Sequence, residues 1–390
     1  MNKAKNSLTP VWAVIVIDLL ILAVLLSAFC YYHHIRDIWG AVNVGSDPEV
    51  TEPPVMVITR PPRTTTSPSV NRPDDPNPPE VPQQSMAPGQ TVDPDASTAP
   101  DQPEIPDPPV EPDPPMEDPG DFGALYPGVF ASKGEVLQGD GYYKSHDISI
   151  TVTRVEKTIE QYKFKSSTTK ESTRVRYFLA DIYVRNIDNL FTSYNKGSNQ
   201  SFSNLLKGTN ALFAASGDVF NSGAASKEVI IRNGNVIRNK TYISSDICVL
   251  YWDGTMETIT PAEYNWDKIL AKAPYQAWSF GPELLNDDGS VISNLKKKSS
   301  VWEVHPRSAI GYVAPGHYVF VSVHGARDTK NPTDGVNLDV LAQILSDAGC
   351  KQAYNLDGGA SVYSYYNGEM LVSFGSQRKI SDIICIGEIG

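Results

Sequence analysis

Proline decides how much of this chain can be domain. Of its 30 prolines, 22 lie between positions 48 and 119, in runs such as PDDPNPPEVPQQSMAPGQ and PDQPEIPDPPVEPDPPMEDP. Proline has a fixed φ and no amide hydrogen, so neither a helix interior nor a central strand can run through such a stretch. Large apolar residues are scarce there, and burial cannot offset the entropy of ordering it. Residues 33–121 therefore read as an extended, partly polyproline-like tether. The fold has to come from residues 122–390, which are numerous enough for a substantial core.

The tether also holds the charge. The chain as a whole carries a net −12, and residues 47–121 alone carry −13. Residues 122–390 balance 27 acidic side chains against 27 basic ones. The folded part thus has no global attraction for nucleic acid.

Ahead of the tether, residues 11–32 read VWAVIVIDLLILAVLLSAFCYY. That is about the ~20 apolar residues a bilayer span requires. Phe29, in front of Cys30, occupies the place where a lipoprotein cleavage box needs a small residue. We expect an uncleaved signal anchor, with residues 1–10 as a short cytoplasmic tail and the C-terminal domain outside the plasma membrane. Asp18 inside the span is either a functional carboxylate or a tolerated, protonated one.

Cys248 and Cys385 sit in the apolar runs DICVLYW and DIICIG, and Cys350 follows Gly349. No Cys-x-x-Cys spacing occurs, so buried thiols are expected. A Cys350–Cys385 bridge is the alternative.

Strand-like runs recur at 148–155, 175–184, 228–233, 246–252, 317–325 and 361–374. Asn367-Gly368, Asn233-Gly234 and Asp253-Gly254 supply hairpin turns. Helices are fewer. Residues 337–348 have an Asn337 cap, apolar residues at helical spacing and a terminating Gly349. Residues 261–273 form a second, and 189–195 a weaker third. Strict βαβ alternation is absent. The expectation is an α+β domain, a mixed, mostly antiparallel sheet with a few packed helices.

No Gly-x-Ser-x-Gly elbow, phosphate-binding Gly-Lys-Ser/Thr loop or His-Glu-x-x-His motif is present. What remains is polar residues at the ends of apolar strands, where loops build sites. They are Ser216 and Asp218 in AASGDVFNSG, Arg307 in VHPRSAIGY, His324 and Arg327 in VHGAR, and Asp357, Gly358, Gly359 and Ser361 in YNLDGGASV. Each also has a plain structural reading, as a turn, an ion pair or a core histidine. His317 and His324, seven apart on one strand, face opposite sides and are not paired as metal ligands.

In order, the segments YFLADIYV, ASGDVF, IIRNGNVIR, WSFGPELLNDDG, HPRSAIGY, PGHYVFVSVHGAR, GVNLDVLAQILSDAGCKQAYNLDGGAS and RKISDIICIG resemble the phosphodiester glycosidase family. The resemblance covers about residues 142–389. The family's Asp-Gly-Arg stands here as His324-Gly325-Ala326-Arg327, and its Asp-Gly-Gly-Gly-Ser as Asp357-Gly358-Gly359-Ala360-Ser361. The resemblance implies hydrolysis of a sugar joined through its anomeric carbon to a phosphodiester, in an envelope or extracellular glycan.

Such chemistry calls for a carboxylate at an oxocarbenium-like centre and a cationic clamp on phosphate. The resemblance therefore implies Asp218, Asp357 and His324 as catalytic candidates. Arg307, Arg327, Arg378, Gly358, Gly359, Ser361 and Ser216 become substrate-binding candidates, the glycines by letting backbone N–H groups reach the ligand. No cofactor is expected, and a divalent metal is left open. The alternative is a non-catalytic glycan-binding or envelope-assembly module on the same fold.

Overall fold

The computed structural model describes residues 56–61, 121–219, 229–325, 334–373 and 378–389. The expected span at 11–32, with Asp18 and Cys30, lies outside these residues, as does most of the tether. No helix among the described residues is long and apolar enough to cross a membrane.

Among the described residues the domain has three sheets, and every strand pairing within them is antiparallel. The largest has seven strands in the order Gln352–Asn355, Arg307–Ala314, His317–Val323, Glu171–Val184, Ile148–Gln161, Tyr142–Lys144 and Leu137–Gly139. A five-stranded sheet runs Glu369–Val372, Ser364–Tyr366, Ala211–Ser216, Asp382–Gly387, Leu190–Tyr194. A six-stranded sheet runs Met56–Val57, Asn235–Arg238, Ile230–Arg232, Pro274–Trp278, Ile247–Tyr251, Met256–Ile259. The expectation of mostly antiparallel strands with a few helices holds, and its mixed character is replaced by antiparallel pairing among the described strands.

The strand His317–Val323 shows why its sequence is apolar almost throughout. It is third of seven and hydrogen-bonded on both sides. On one face Tyr318 and Phe320 meet Phe213, Ala215 and Ile384 of the five-stranded sheet. On the other, Val319, Val321 and Val323 meet Leu338, Leu341 and Leu345 of the helix Leu338–Asp347. A strand covered on both faces needs no polar alternation. The helix begins where expected, with Asn337 Oδ1 accepting from the Val340 amide at 3.0 Å, and ends before Gly349 at φ +81°.

The turns fall as read. Asn233-Gly234 and Asn367-Gly368 sit at positive φ between paired strands, and Asp253-Gly254 lies between Ile247–Tyr251 and Met256–Ile259. The expected helix at 261–273 shortens to Trp266–Ala271. Residues 189–195 are not a helix. Leu190–Tyr194 is a strand, paired with Asp382–Ile386 and alternately buried.

Part of the expected tether is docked. Met56–Val57 adds an edge strand against Asn235 and Val236, and Ile58 is buried beside Val229, Ile231 and Val236. Cys248, Cys350 and Cys385 are buried free thiols, so the Cys350–Cys385 bridge does not form. Burial pushes the Cys350 thiol up to about 12.

Candidate functional site

The site is assembled where segments leaving strands of the seven- and five-stranded sheets hydrogen-bond to each other. Ala211–Ser216 leads directly into Gly217 and Asp218. Across from it, Gln352–Asn355 leads into Leu356 and Asp357, and the Asp357 amide donates to the Gly217 carbonyl at 3.0 Å. Ser308, beside Arg307, donates its hydroxyl to the Ser216 carbonyl at 3.1 Å. Three segments far apart in sequence are thereby sewn together.

Asp218 is sealed. Its carboxylate accepts from Arg232 Nη2 at 3.1 Å, the Ser279 amide at 2.7 Å and the Val219 amide at 2.5 Å, with no side-chain exposure. The same arginine donates from Nε to Asp382 Oδ2 at 2.6 Å, and Asp382 Oδ1 accepts from the Asp218 amide at 2.6 Å. Arg232 also donates to the carbonyls of Ile231 and Ala277. Burial pushes the Asp382 carboxyl up, and Arg232 pulls it back.

Asp357 is different. It is 8 % exposed. Burial, foremost, pushes its carboxyl up to about 6; the neighbouring Asp218 charge adds to the rise. Ser361 and the exposed Arg378 act in the opposite direction, as does the Gly358 amide. Its range therefore lies much closer to neutrality than that of an ordinary aspartate. Arg378 is held in place by its amide, which donates to Tyr363 Oη at 2.8 Å.

Other candidates take up structural positions. Ser216 is fully buried; its hydroxyl donates to the Ser361 carbonyl and accepts from the Tyr363 amide at 2.7 Å. The Gly358 amide serves the Asp357 carboxylate, and the Gly359 amide donates to the Pro306 carbonyl at 2.9 Å. These amides are therefore spent within the chain instead of reaching toward a ligand. A side chain on Gly358 would come within 3.0 Å of the Pro306 carbonyl, and Gly359 has φ +62°. Backbone approach and conformation explain the pair.

Arg307 points to the opposite face of its strand from Ser308. It donates from Nε to the Val336 carbonyl at 3.2 Å and from Nη2 to the carbonyls of Val301 and Glu303. Burial lowers its guanidinium to about 10. The group expected to clamp phosphate is holding together two loops, the one before its own strand and the one before the helix Leu338–Asp347.

His324 lines a cleft whose lining does not include Asp357, and Pro306 packs between the segments that follow the two residues. A side chain on Gly325 would strike the Pro306 ring, while Gly358 and Gly359 pack on the Pro306 carbonyl. The His324 ring tilts against Phe178 at 5.6 Å between centroids and lines a separate cleft of about 770 Å³. His317 is paired elsewhere, with Asp181 at 2.6 Å. Arg327 lies outside the described residues, among which no group of three His, Cys, Asp or Glu side chains is placed to hold a metal.

Sequence reasoning missed Arg232, Asp382 and Ser279 as parts of this site. Two of them carried a signal. Arg232 closes the apolar run VIIR and Asp382 opens DIICIG, and a charge inside a buried strand requires a partner.

Residues 209–387 match the model of the phosphodiester glycosidase family. The SPbeta prophage-derived uncharacterized protein YomE of Bacillus subtilis (strain 168) is 23% identical over 227 residues, covering 57% of this chain and 35% of that protein. The chain thus spans about a third of that relative's length. Among solved structures, the zebrafish N-acetylglucosamine-1-phosphodiester α-N-acetylglucosaminidase catalytic domain, auto-inhibited by pro-peptide, is 19% identical at a TM-score of 0.49. That alignment covers 62% of this chain and 84% of the other. A hypothetical protein from Synechocystis is 11% identical at a TM-score of 0.41, over 64% of this chain and 75% of that one.

Proposed function

We propose that this chain, whose residues 209–387 match the phosphodiester glycosidase family model, hydrolyses a glycan linkage in which a sugar's anomeric carbon is esterified to a phosphodiester. The observation that carries the reading is Asp357, a buried carboxylate in the family-matched region with no ion pair among the described residues and its range raised to about 6.

Cleavage of the anomeric C–O bond leaves positive charge on the sugar and negative charge on the departing phosphate. Ionised Asp357 stabilises the first. Arg378 neutralises the second, and a phosphate ester is a weak enough base to leave with little protonation. Water supplies hydroxide to the anomeric carbon and the proton that completes the hydrolysis. Asp218 acts through Asp357 as a positioning residue, its own oxygens being occupied. His324 faces the neighbouring cleft and meets the continuation of the substrate rather than the scissile bond.

The sequence-level anchor at 11–32 and the tether between it and the domain fit a plasma-membrane protein whose catalytic domain works on an extracellular or envelope glycan. The test is release of free sugar from a panel of sugar-1-phosphodiesters by the purified full chain and by Asp357→Asn. Turnover by the wild type and its loss in the variant are expected. Binding of the panel with no turnover by either protein would replace the enzyme with a glycan-binding module.

A further inference from the structure

The strands Ile148–Gln161 and Glu171–Val184 are paired along fourteen residues each. On one face they begin as core, with Ile150, Ala180 and Ile182 buried. Farther along the same face the apolar pattern stops. Val152 is followed by Arg154 and Glu156, and Phe178 gives way to Arg176 and Arg174. The register places Glu156 opposite Arg176 and Arg154 opposite Phe178. The hairpin formed by Ser364–Tyr366 and Glu369–Val372 borders this arginine-bearing face and leaves the cleft of about 770 Å³.

The charges do not balance on the floor. Glu156 is shared among Arg174, Arg176 at 3.2 Å and Arg154 at 3.5 Å. One carboxylate therefore faces three guanidiniums. The Arg176 side chain is only 6% exposed, so its charge is poorly screened by water. Two further carboxylates, Asp140 and Glu369, line the cleft with Asn367 and are exposed. The rings of Phe178, on the same strand face as Arg176, and Tyr366, on the hairpin, also line it.

Such a lining is divided by chemistry. Planar guanidiniums suit a carboxylate or phosphate. Exposed carboxylates accept from hydroxyls, and an amide both accepts from and donates to them. Aromatic rings cover an apolar sugar face. We propose that this cleft binds an anionic saccharide, its acidic group on Arg154 and Arg176, its hydroxyls on Asp140, Asn367 and Glu369, and its ring against Phe178 or Tyr366. This rests on the proposed function only in taking the ligand to be part of a glycan. It adds a second anion, distinct from the scissile phosphodiester, and so selects an acidic polymer as substrate.

Calorimetric titration of the full chain at low salt tests this with four probes: a glucuronate-containing disaccharide, its carboxyl-reduced neutral counterpart, glucose 6-phosphate and inorganic phosphate. At least one acidic sugar should bind about tenfold or more tightly than the neutral one, and added salt should weaken it. Binding of the glucuronate probe alone assigns a carboxylate ligand, and binding of glucose 6-phosphate alone assigns a phosphate. Arg154→Glu, at an exposed position, should abolish the preference with the fold intact. Asp357→Asn should bind like the wild type, so loss of turnover and loss of this site are separate results. Equal affinity for acidic and neutral sugars, no binding of either, or inorganic phosphate binding as well as glucose 6-phosphate would overturn the assignment.

Discussion

Asp218 and Asp357 are both buried aspartates, joined through the Gly217 carbonyl and the Asp357 amide, yet they are buried in different ways. Asp218 has every approach closed by Arg232 and two amides. Asp357 keeps some exposure and has no ion pair among the described residues, only the longer-range influence of Arg378. The contrast separates two uses of one side chain. A carboxylate whose lone pairs are all occupied fixes backbone; a carboxylate desolvated but incompletely satisfied stores the free energy that reactions use.

The largest way to break the comparison is to open the sealed side. Arg232→Met leaves two buried carboxylates facing each other without their cation, and should cost at least ~3–5 kcal/mol or prevent folding. Denaturant unfolding measures it. If the variant folds with near wild-type stability, the triad of Asp218, Arg232 and Asp382 is not what holds this corner.

Asp357→Asn should do the reverse. The folded chain binds this proton more tightly than the unfolded chain, because the carboxyl rises from 3.8 to about 6. Stability contributed here therefore falls as pH climbs from about 4 through about 6. Removing the charge should stabilise the protein at pH 7.5 by at most ~2–3 kcal/mol, with the gain shrinking toward zero near pH 4. Thermal unfolding at the two pH values reads this out. A variant less stable at pH 7.5 would place Asp357 with Asp218 as a structural residue.

Two smaller changes sharpen the boundary between the regions. Ser216→Ala removes the hydroxyl that accepts the Tyr363 amide, and should cost ~1–3 kcal/mol while leaving the shape of the pH–rate curve alone. Arg378→Ala, at an exposed position, should change stability by no more than ~0.5 kcal/mol. It should raise KM, and it should move the acidic limb of the pH–rate curve upward from about 6, because its charge now lowers Asp357.

Much of this could be read from sequence because it is locally encoded. Asn-Gly turns, the Asn337 cap and the two-sided apolar strand at 317–323 each depend on neighbours a few residues away. Residues 189–195 have a weak helical pattern yet form a strand, because the strand that recruits them, Asp382–Gly387, is distant in the chain. The same reason hid the triad, since Arg232 and Asp382 are 150 residues apart. Arg307 looked like a ligand-binding group because an arginine among apolar residues must have partners. Its partners proved to be carbonyls of residues 301, 303 and 336, which no local motif marks. The docked strand Met56–Val57 was lost for a compositional reason: a short apolar MVI segment is averaged away by the prolines around it.

The central claim is that ionised Asp357 meets the anomeric carbon. The pH dependence of sugar release from a sugar-1-phosphodiester by the full chain tests it most directly, with Asp357→Asn alongside. The account predicts a rate that falls below an apparent pKa of about 6 and a folded variant without turnover. A rate that stays flat through that pH, or a variant as fast as the wild type, would contradict it.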